Sequence, residues 1–514
     1  MGSGVLDEPG IPLVLRGEPG EKGLKGGALG FMSGVVIGVA STAPGYSIAA
    51  VLGFVVIAVG FQAPAIMLLA FLPMLFTAAA YYCLNRVDPD CGTTFSWAAR
   101  AMGPWVGWIG GWAIIVADVL VMGLLASVAG SYSFLLVGAD SAAADTNGAV
   151  LVVGVIWIAL MTVICYAGIE LSAKTQWFLL GAELITLLIF AVVAFVRIGF
   201  QDIQGEVTPS LDWINPFAID STSALAAGML LAIFIYWGWD STVTVNEESE
   251  DSREGPGKAA IVSTLILLGI YVIVSVAAQA YHGIEFLTGD ENVIDVLGAL
   301  AGDVLGSPLD KLLIIAVLTS AAASTQTTIL PTTRTVLSMA SKKAAPSYFE
   351  RVHPRFLTPS TSTIWMGVVS IVWYVGLTLL HENALFDGFL ALGLMIAFYY
   401  GLTGIACAIY FRRQLTKSFT NFVLMGLAPL AGAAILGWAF VKSAIDLSDP
   451  ANSESGESWF GLGPPLVMSI AFAIIGLVLM LVQWRANPEF FRRRAEVAPP
   501  VNVEPPPAAS STAG

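Results

Sequence analysis

The chain has 514 residues, of which 56% are hydrophobic and only 12% charged, with a mean hydropathy of +0.79. Ordinary soluble proteins are about 25% charged, so this composition excludes a string of soluble domains and describes a chain built for a lipid bilayer. A formal net charge of −14 with no basic stripe excludes a nucleic-acid partner, and 52 glycines with 26 prolines predict helices that pack closely and break in places.

Residues 1–27 mix Asp, Glu, Gly, Pro and Lys, unlike the basic and then apolar start of a cleaved signal, so the first apolar segment is expected to stay in the mature protein. A spanning helix needs about 20 mostly apolar residues. That pattern predicts twelve transmembrane helices, over 28–59, 64–84, 104–136, 149–168, 173–198 and 222–246, then 257–281, 311–341, 361–380, 385–411, 419–444 and 464–484. Basic residues near helix ends are retained in the cytoplasm. All of them except Arg197, Lys311 and Lys442 fall on the side holding both termini, among them Arg86, Arg100, Lys174, Arg253, Lys258, Lys342, Lys343, Arg351, Arg412 and Arg413. The expected protein is therefore all-α and multi-pass, in the plasma membrane, with both termini cytoplasmic. The opposite loops are acidic, with Asp202, Glu206, Asp290, Glu291 and Asp303, a pattern that ordinary solvated loops explain.

Cys83, Cys91, Cys165 and Cys407 lie in or beside apolar segments at no metal-ligand spacing and read as packing residues. Past Trp484 come Arg492, Arg493 and Arg494 and a Pro- and Ala-rich stretch, so 485–514 is expected to be a disordered tail. Catalytic motifs such as HExxH, GxSxG and the P-loop are missing, and His282, His353 and His381 are far apart, so neither catalysis nor a cofactor is expected.

The informative feature is helix interruption, because a break at membrane depth exposes backbone groups that must line a cavity or bind something. The first segment reads Gly38-Val39-Ala40-Ser41-Thr42-Ala43-Pro44-Gly45-Tyr46, and the sixth reads Phe234-Ile235-Tyr236-Trp237-Gly238-Trp239-Asp240-Ser241-Thr242. Each should unwind there. Packing kinks would explain either one alone, but breaks in segments one and six are the spacing of a five-helix unit occurring twice with inverted topology. Exposed amides at the start of a second half-helix attract a carboxylate, and freed carbonyls at the end of a first half-helix attract an ammonium. An amino acid carries both groups.

Several stretches make the chain resemble the amino acid permease family of the amino acid–polyamine–organocation superfamily. They are Pro89-Asp90-Cys91-Gly92-Thr93-Thr94-Phe95-Ser96-Trp97 with Gly110-Gly111-Trp112; Gly168-Ile169-Glu170-Leu171-Ser172-Ala173-Lys174; Asn246-Glu247-Glu248 with Pro256-Gly257-Lys258-Ala259; and the run from Arg334 to Pro359. The resemblance implies a LeuT-like 5+5 inverted repeat over 28–411, with two further helices over 412–484 outside that core. It implies a secondary active transporter of amino acids or related amines. By the same resemblance Ser41, Thr42, Ala43 and Gly45 bind the substrate carboxylate, and Phe234, Ile235 and Trp237 bind its amine, with the Phe234 ring as a lid. Many relatives have a glycine-rich break where this chain has Ser41-Thr42-Ala43-Pro44.

Three acids fall inside apolar spans, where a central carboxylate costs about 2.5–3.5 kcal/mol on insertion scales. Asp240, at the start of the second half of the sixth helix, is expected to be a gate or amine contact stabilised by the helix dipole. Asp118 lies near the level at which relatives contact substrate and is a candidate selector of cationic side chains. Glu183 falls where some sodium-independent relatives place a lysine, and a carboxyl desolvated in the fifth helix can hold a proton and release it when water arrives, which makes it a candidate proton carrier. The eighth segment carries Thr319, Ser320, Ser324, Thr325, Thr327 and Thr328, and Ser324 with Thr325 are the candidates for a sodium site; close helix packing is the simpler use of such residues. Proton coupling and sodium coupling both remain open, as do a polyamine importer, a channel and a membrane-embedded enzyme as alternative functions.

Overall fold

A computed structural model describes residues 22–139, 147–380, 384–453 and 455–498, and their regular structure is helical throughout. Ten stretches among these residues are long and apolar enough to cross a membrane, Phe31–Val87 counting as one. That stretch divides into α1 (Phe31–Thr42), α2 (Pro44–Val59) and α3 (Ala63–Val87). A short α4 (Thr94–Met102) leads to α5 (Pro104–Leu136), α6 (Asn147–Ala167) and α7 (Ile169–Phe200). The sixth expected segment appears as α8 (Thr222–Tyr236), which at 15 residues is too short to span alone, and the one-turn α9 (Ser241–Thr244). The expected twelve crossings thus require dividing Phe31–Val87 and joining α8 to α9.

The second half comprises α10 (Gly255–Leu287), α11 (Val296–Leu305), α12 (Asp310–Ser341), α13 (Ser360–Leu380), α14 (Ala384–Tyr410), α15 (Phe419–Asp446), α16 (Pro464–Ala486) and α17 (Pro488–Phe491). Pro44, Pro104 and Pro464 each open a helix, where the missing proline N–H forgoes no helical bond. Helices approach closely where side chains are small: a Cβ on Gly257 of α10 would lie 2.8 Å from the Tyr82 backbone of α3.

Helices α5 and α12 form the most extensively packed pair and sit at the centre, with α1 and α2 against α7, α10 and α12. The outer helices α6, α13 and α16 turn Val152, Ile156, Val163, Trp365, Val372, Ile474 and Val482 outward, a surface that suits lipid and not water. The chain is a multi-pass membrane protein. All four cysteines are free and buried, as packing residues would be.

The expectation of disorder from residue 485 fails as far as Ala498. Phe490 and Phe491 are buried, Phe490 stacked on Phe95 at 5.6 Å and Phe491 against Trp105 at 4.7 Å. Beyond them the Glu496 N–H donates to the Arg100 carbonyl at 2.6 Å and the Ala498 N–H to that of Tyr410 at 3.1 Å. Two adjacent aromatic rings supply the apolar area that the neighbouring arginines lack. The remainder of the expected tail lies outside the described residues.

Candidate functional site

Helix α1 ends because Ala43 adopts the left-handed conformation, φ 47° and ψ 65°, after which Pro44 starts α2. Helix α8 ends because Trp237 is extended and Gly238 takes φ 119°. Both interruptions fall where the sequence places them, and they touch. A Cβ on Gly238 would lie 2.6 Å from the Ser41 carbonyl oxygen, so only glycine lets the two breaks meet. The hydroxyls of Ser41 and Ser241 lie 2.7 Å apart. Ser41, Thr42, Ala43 and Gly45 are thus brought to one place with Phe234, Ile235 and Trp237, all of them buried.

The polar groups released by the break in α1 can be followed one by one. Pro44 has no N–H. The Gly45 N–H donates to Glu183 Oε1 of α7 at 2.7 Å, that of Tyr46 to Ser320 Oγ of α12 at 3.1 Å, and that of Ser47 to the Ala43 carbonyl at 2.8 Å. Ser320 in turn donates to the same Glu183 Oε1 at 2.8 Å, leaving Oε2 buried without a partner. On the carbonyl side, Ser41 accepts from Ser324 Oγ at 3.0 Å and Thr42 from Ser47 Oγ at 2.7 Å.

At the second break the Phe234 carbonyl accepts the Trp237 N–H at 2.9 Å, and the Ile235 carbonyl accepts Tyr271 Oη at 2.7 Å. The Phe234 ring stands edge-on to Tyr46 at 6.3 Å and against Phe389 at 5.1 Å. The Trp237 indole donates to the Tyr399 hydroxyl.

Asp240 follows directly, but the dipole of α9 is not what holds it. One turn of helix offers little field, and the carboxyl makes no cap hydrogen bond. Three tyrosines surround it instead: Tyr400 Oη donates to Oδ1 at 2.8 Å, and Tyr399 and Tyr81 to Oδ2 at 3.2 and 3.4 Å. Asp118, midway along α5, accepts from the Thr332 hydroxyl of α12. Among the described residues, none of the three buried acids forms an ion pair. Of the α12 hydroxyls, Thr319, Thr325 and Thr327 bond back to their own helix, whereas Ser320 and Ser324 reach the break in α1.

A second polar layer, absent from the sequence reading as a constellation, lies toward the face that carries both described chain ends. Lys22 Nζ pairs with Asp90 at 3.1 Å and with Glu247, and Lys342 pairs with the same Asp90 oxygen at 2.7 Å. Asp90, Cys91 and Glu247 are close enough to hold a metal ion, but the Lys22 ammonium stands among them. Burial alone would raise the Asp90 carboxyl, yet the two ammonium groups outweigh it and hold it well below the usual carboxylate range. Beside this cluster Arg334 grips Glu248 through two hydrogen bonds of 2.8 Å, both side chains buried. The Glu248 carbonyl receives the N–H groups of Ala28 and Leu29 at 2.8 and 3.0 Å, tying the segment before α1 across the end of the sixth helix.

Tyr81, Tyr271, Tyr399 and Tyr400 were missed in sequence. The signal for the tyrosines was the Tyr-Tyr pairs 81–82 and 399–400 inside apolar spans, where each hydroxyl demands a partner.

A family model described as amino acid permease matches residues 27–472. An uncharacterized transporter of Mycobacterium tuberculosis is 26% identical over 435 residues, 85% of this chain and 89% of the relative. An arginine/ornithine antiporter of Lactococcus lactis is 22% identical, covering 72% of each chain. A low-affinity putrescine importer of Escherichia coli is 21% identical over 73% of this chain and 79% of its own.

Proposed function

Given that the chain belongs to the amino acid permease family and is a membrane transporter, we propose that it is a secondary active transporter of amino acids or related amines, working by alternating access around the breaks after Thr42 and Tyr236. The observation that carries this reading is the contact between the two breaks, with backbone carbonyls, hydroxyls and the carboxyls of Glu183 and Asp240 buried beside it. Such a region is costly in lipid and makes sense as a binding site. Residues 28–411 form the transport core, with α15 and α16 outside it, in a plasma membrane with both termini cytoplasmic.

Coupling to protons is the reading we favour, with Glu183 as the carrier, because its carboxyl joins α7 to the start of α2 and to α12 and so feels any separation of them. Sodium at Ser324 is the second reading, supported by the bond from that hydroxyl to the Ser41 carbonyl. Thr325 supports it less, since its hydroxyl is engaged within α12. The test is uptake of a panel of radiolabelled amino acids and amines into proteoliposomes under separately imposed proton and sodium gradients. Accumulation driven by the proton gradient is expected, and lost in Glu183→Gln. Failure to accumulate any member under either gradient would remove the reading.

A further inference from the structure

Helix α16 is held to its neighbours near mid-span, where the Trp112 indole of α5 donates to the Phe472 carbonyl at 2.9 Å and the Phe472 ring packs on Trp373 of α13 at 5.2 Å. Toward the face that carries both described chain ends, a groove of about 490 Å³ opens between α13 and α16, with α5 and α12 beneath it, and it ends at the loop that follows α12. Trp365, Val369 and Val482 on its walls are exposed, so it is open at the depth of the lipid. The lining is apolar almost throughout. Of its polar groups, the Thr332 hydroxyl is given to Asp118 and the Gln483 amide to the Lys343 carbonyl, whereas the buried Ser362 hydroxyl, in the first turn of α13, has no partner. Water finds few partners in such a groove, and leaving it empty forfeits dispersion contacts along its length. A hydrocarbon chain suits it.

The rim has the opposite character. Arg351 follows the lining residue Phe349 by two positions, and Arg485 stands one helical turn beyond Val482. The acids nearby are Glu350 and Glu489, and Lys343 takes up Glu489 at 2.8 Å. Among the described residues neither Arg351 nor Arg485 forms an ion pair, and Arg351 lies over the Tyr348 ring at 4.7 Å. An apolar groove at membrane depth that ends at unpaired cations matches a ligand with a hydrocarbon tail and a negative head.

We propose that this groove binds one anionic phospholipid, its acyl chain lying between α13 and α16 and its headgroup at the rim with Arg351 and Arg485. The proposal stands apart from the substrate reading, because none of these residues belongs to either helix break.

The test uses full-length, detergent-solubilised and delipidated protein offered dioleoyl phosphatidylglycerol or dioleoyl phosphatidylcholine, which share their acyl chains, with retained lipid counted by native mass spectrometry. Wild type should keep one phosphatidylglycerol with a preference of about fivefold or more over phosphatidylcholine, the contribution of a single basic side chain at a membrane surface. Replacing the exposed arginines together, Arg351→Gln with Arg485→Gln, should bring that ratio close to one. Val369→Trp, which fills the groove from its lipid-facing wall, should abolish retention of both lipids. Equal retention of the two lipids by wild type, an unaltered ratio in the double variant, or a lipid still kept by Val369→Trp would each overturn the proposal. Should Val369→Trp fail to fold, wild type and the double variant decide it, since both of the replaced arginines are on the surface.

Discussion

Gly238 carries the contact between the two breaks, because its φ of 119° and its position 2.6 Å, measured from a built Cβ, from the Ser41 oxygen both exclude a side chain. Gly238→Ala should therefore strain its own backbone and push α1 away from α9, at a cost of about 2 kcal/mol or more. A lowered midpoint in thermal unfolding of the detergent-solubilised protein, with loss of uptake, is the expected outcome; an unaltered midpoint would show that the breaks do not depend on this contact. The position of the breaks was legible in the sequence, since Ala-Pro-Gly and Trp-Gly-Trp-Asp are local signals. The tyrosine cage of Asp240 was not. Tyr400 and Asp240 stand 160 residues apart, and only the packing of α14 against α3 and α8 brings the hydroxyls to the carboxyl.

Composition deceived at the scale of one element, the short α17. The run of arginines and prolines after it suggests a solvated tail, yet Phe490 sits under Phe95 of α4 with its ring almost wholly buried. Removing that ring leaves a hole that α4 cannot close, because the Arg100 carbonyl near its end is itself tied to Glu496. Phe490→Ala should cost about 3 kcal/mol, read as an earlier unfolding transition and faster proteolysis beyond Ala486. Equal resistance to proteolysis in the variant and wild type would mean that the rings contribute little. The long apolar helices were readable because a span of hydrophobic residues needs no tertiary information. Helix α17 has four residues, and its existence depends on the groove that α4 and α5 offer. The sixth segment was readable as the long helices were, and so was its break: the helix ends at Tyr236, and one turn over Ser241–Thr244 follows before a 3-10 turn over Asn246–Glu248.

Under the alternating-access reading proposed above, one face opens while the other is shut, and the Lys22 cluster is the closure we propose for the face that carries both described chain ends. Lys22 lies on the segment before α1, Asp90 and Cys91 between α3 and α4, Glu247 after α9, and Lys342 at the end of α12, so four separate parts of the chain meet around one carboxylate. The Asp90 carboxyl is held below its usual range, so its contribution to the folded state is complete above the unfolded value near 4 and is lost only as pH falls through the lower folded value. Asp90 therefore stays ionised across the pH range in which a transporter works, and parting the cluster means separating paired charges. Cys91 reports that event. It is fully buried beneath Lys22, and burial pushes its thiol up, so it is protected by cover and by protonation together. In a protein retaining only this cysteine, with Cys83, Cys165 and Cys407 replaced by Ala, a charged methanethiosulfonate reagent should modify Cys91 slowly. Lys22→Ala removes two ion pairs at once, and a loss on the order of 1.4 kcal/mol in the closed state would raise the rate about tenfold. A transported substrate should shift the rate in the protein that keeps Lys22, because binding at the breaks alters how long this face stays open. A rate indifferent both to substrate and to the Lys22 substitution would mean that the cluster is a fixed staple and that the opening runs through another part of the bundle.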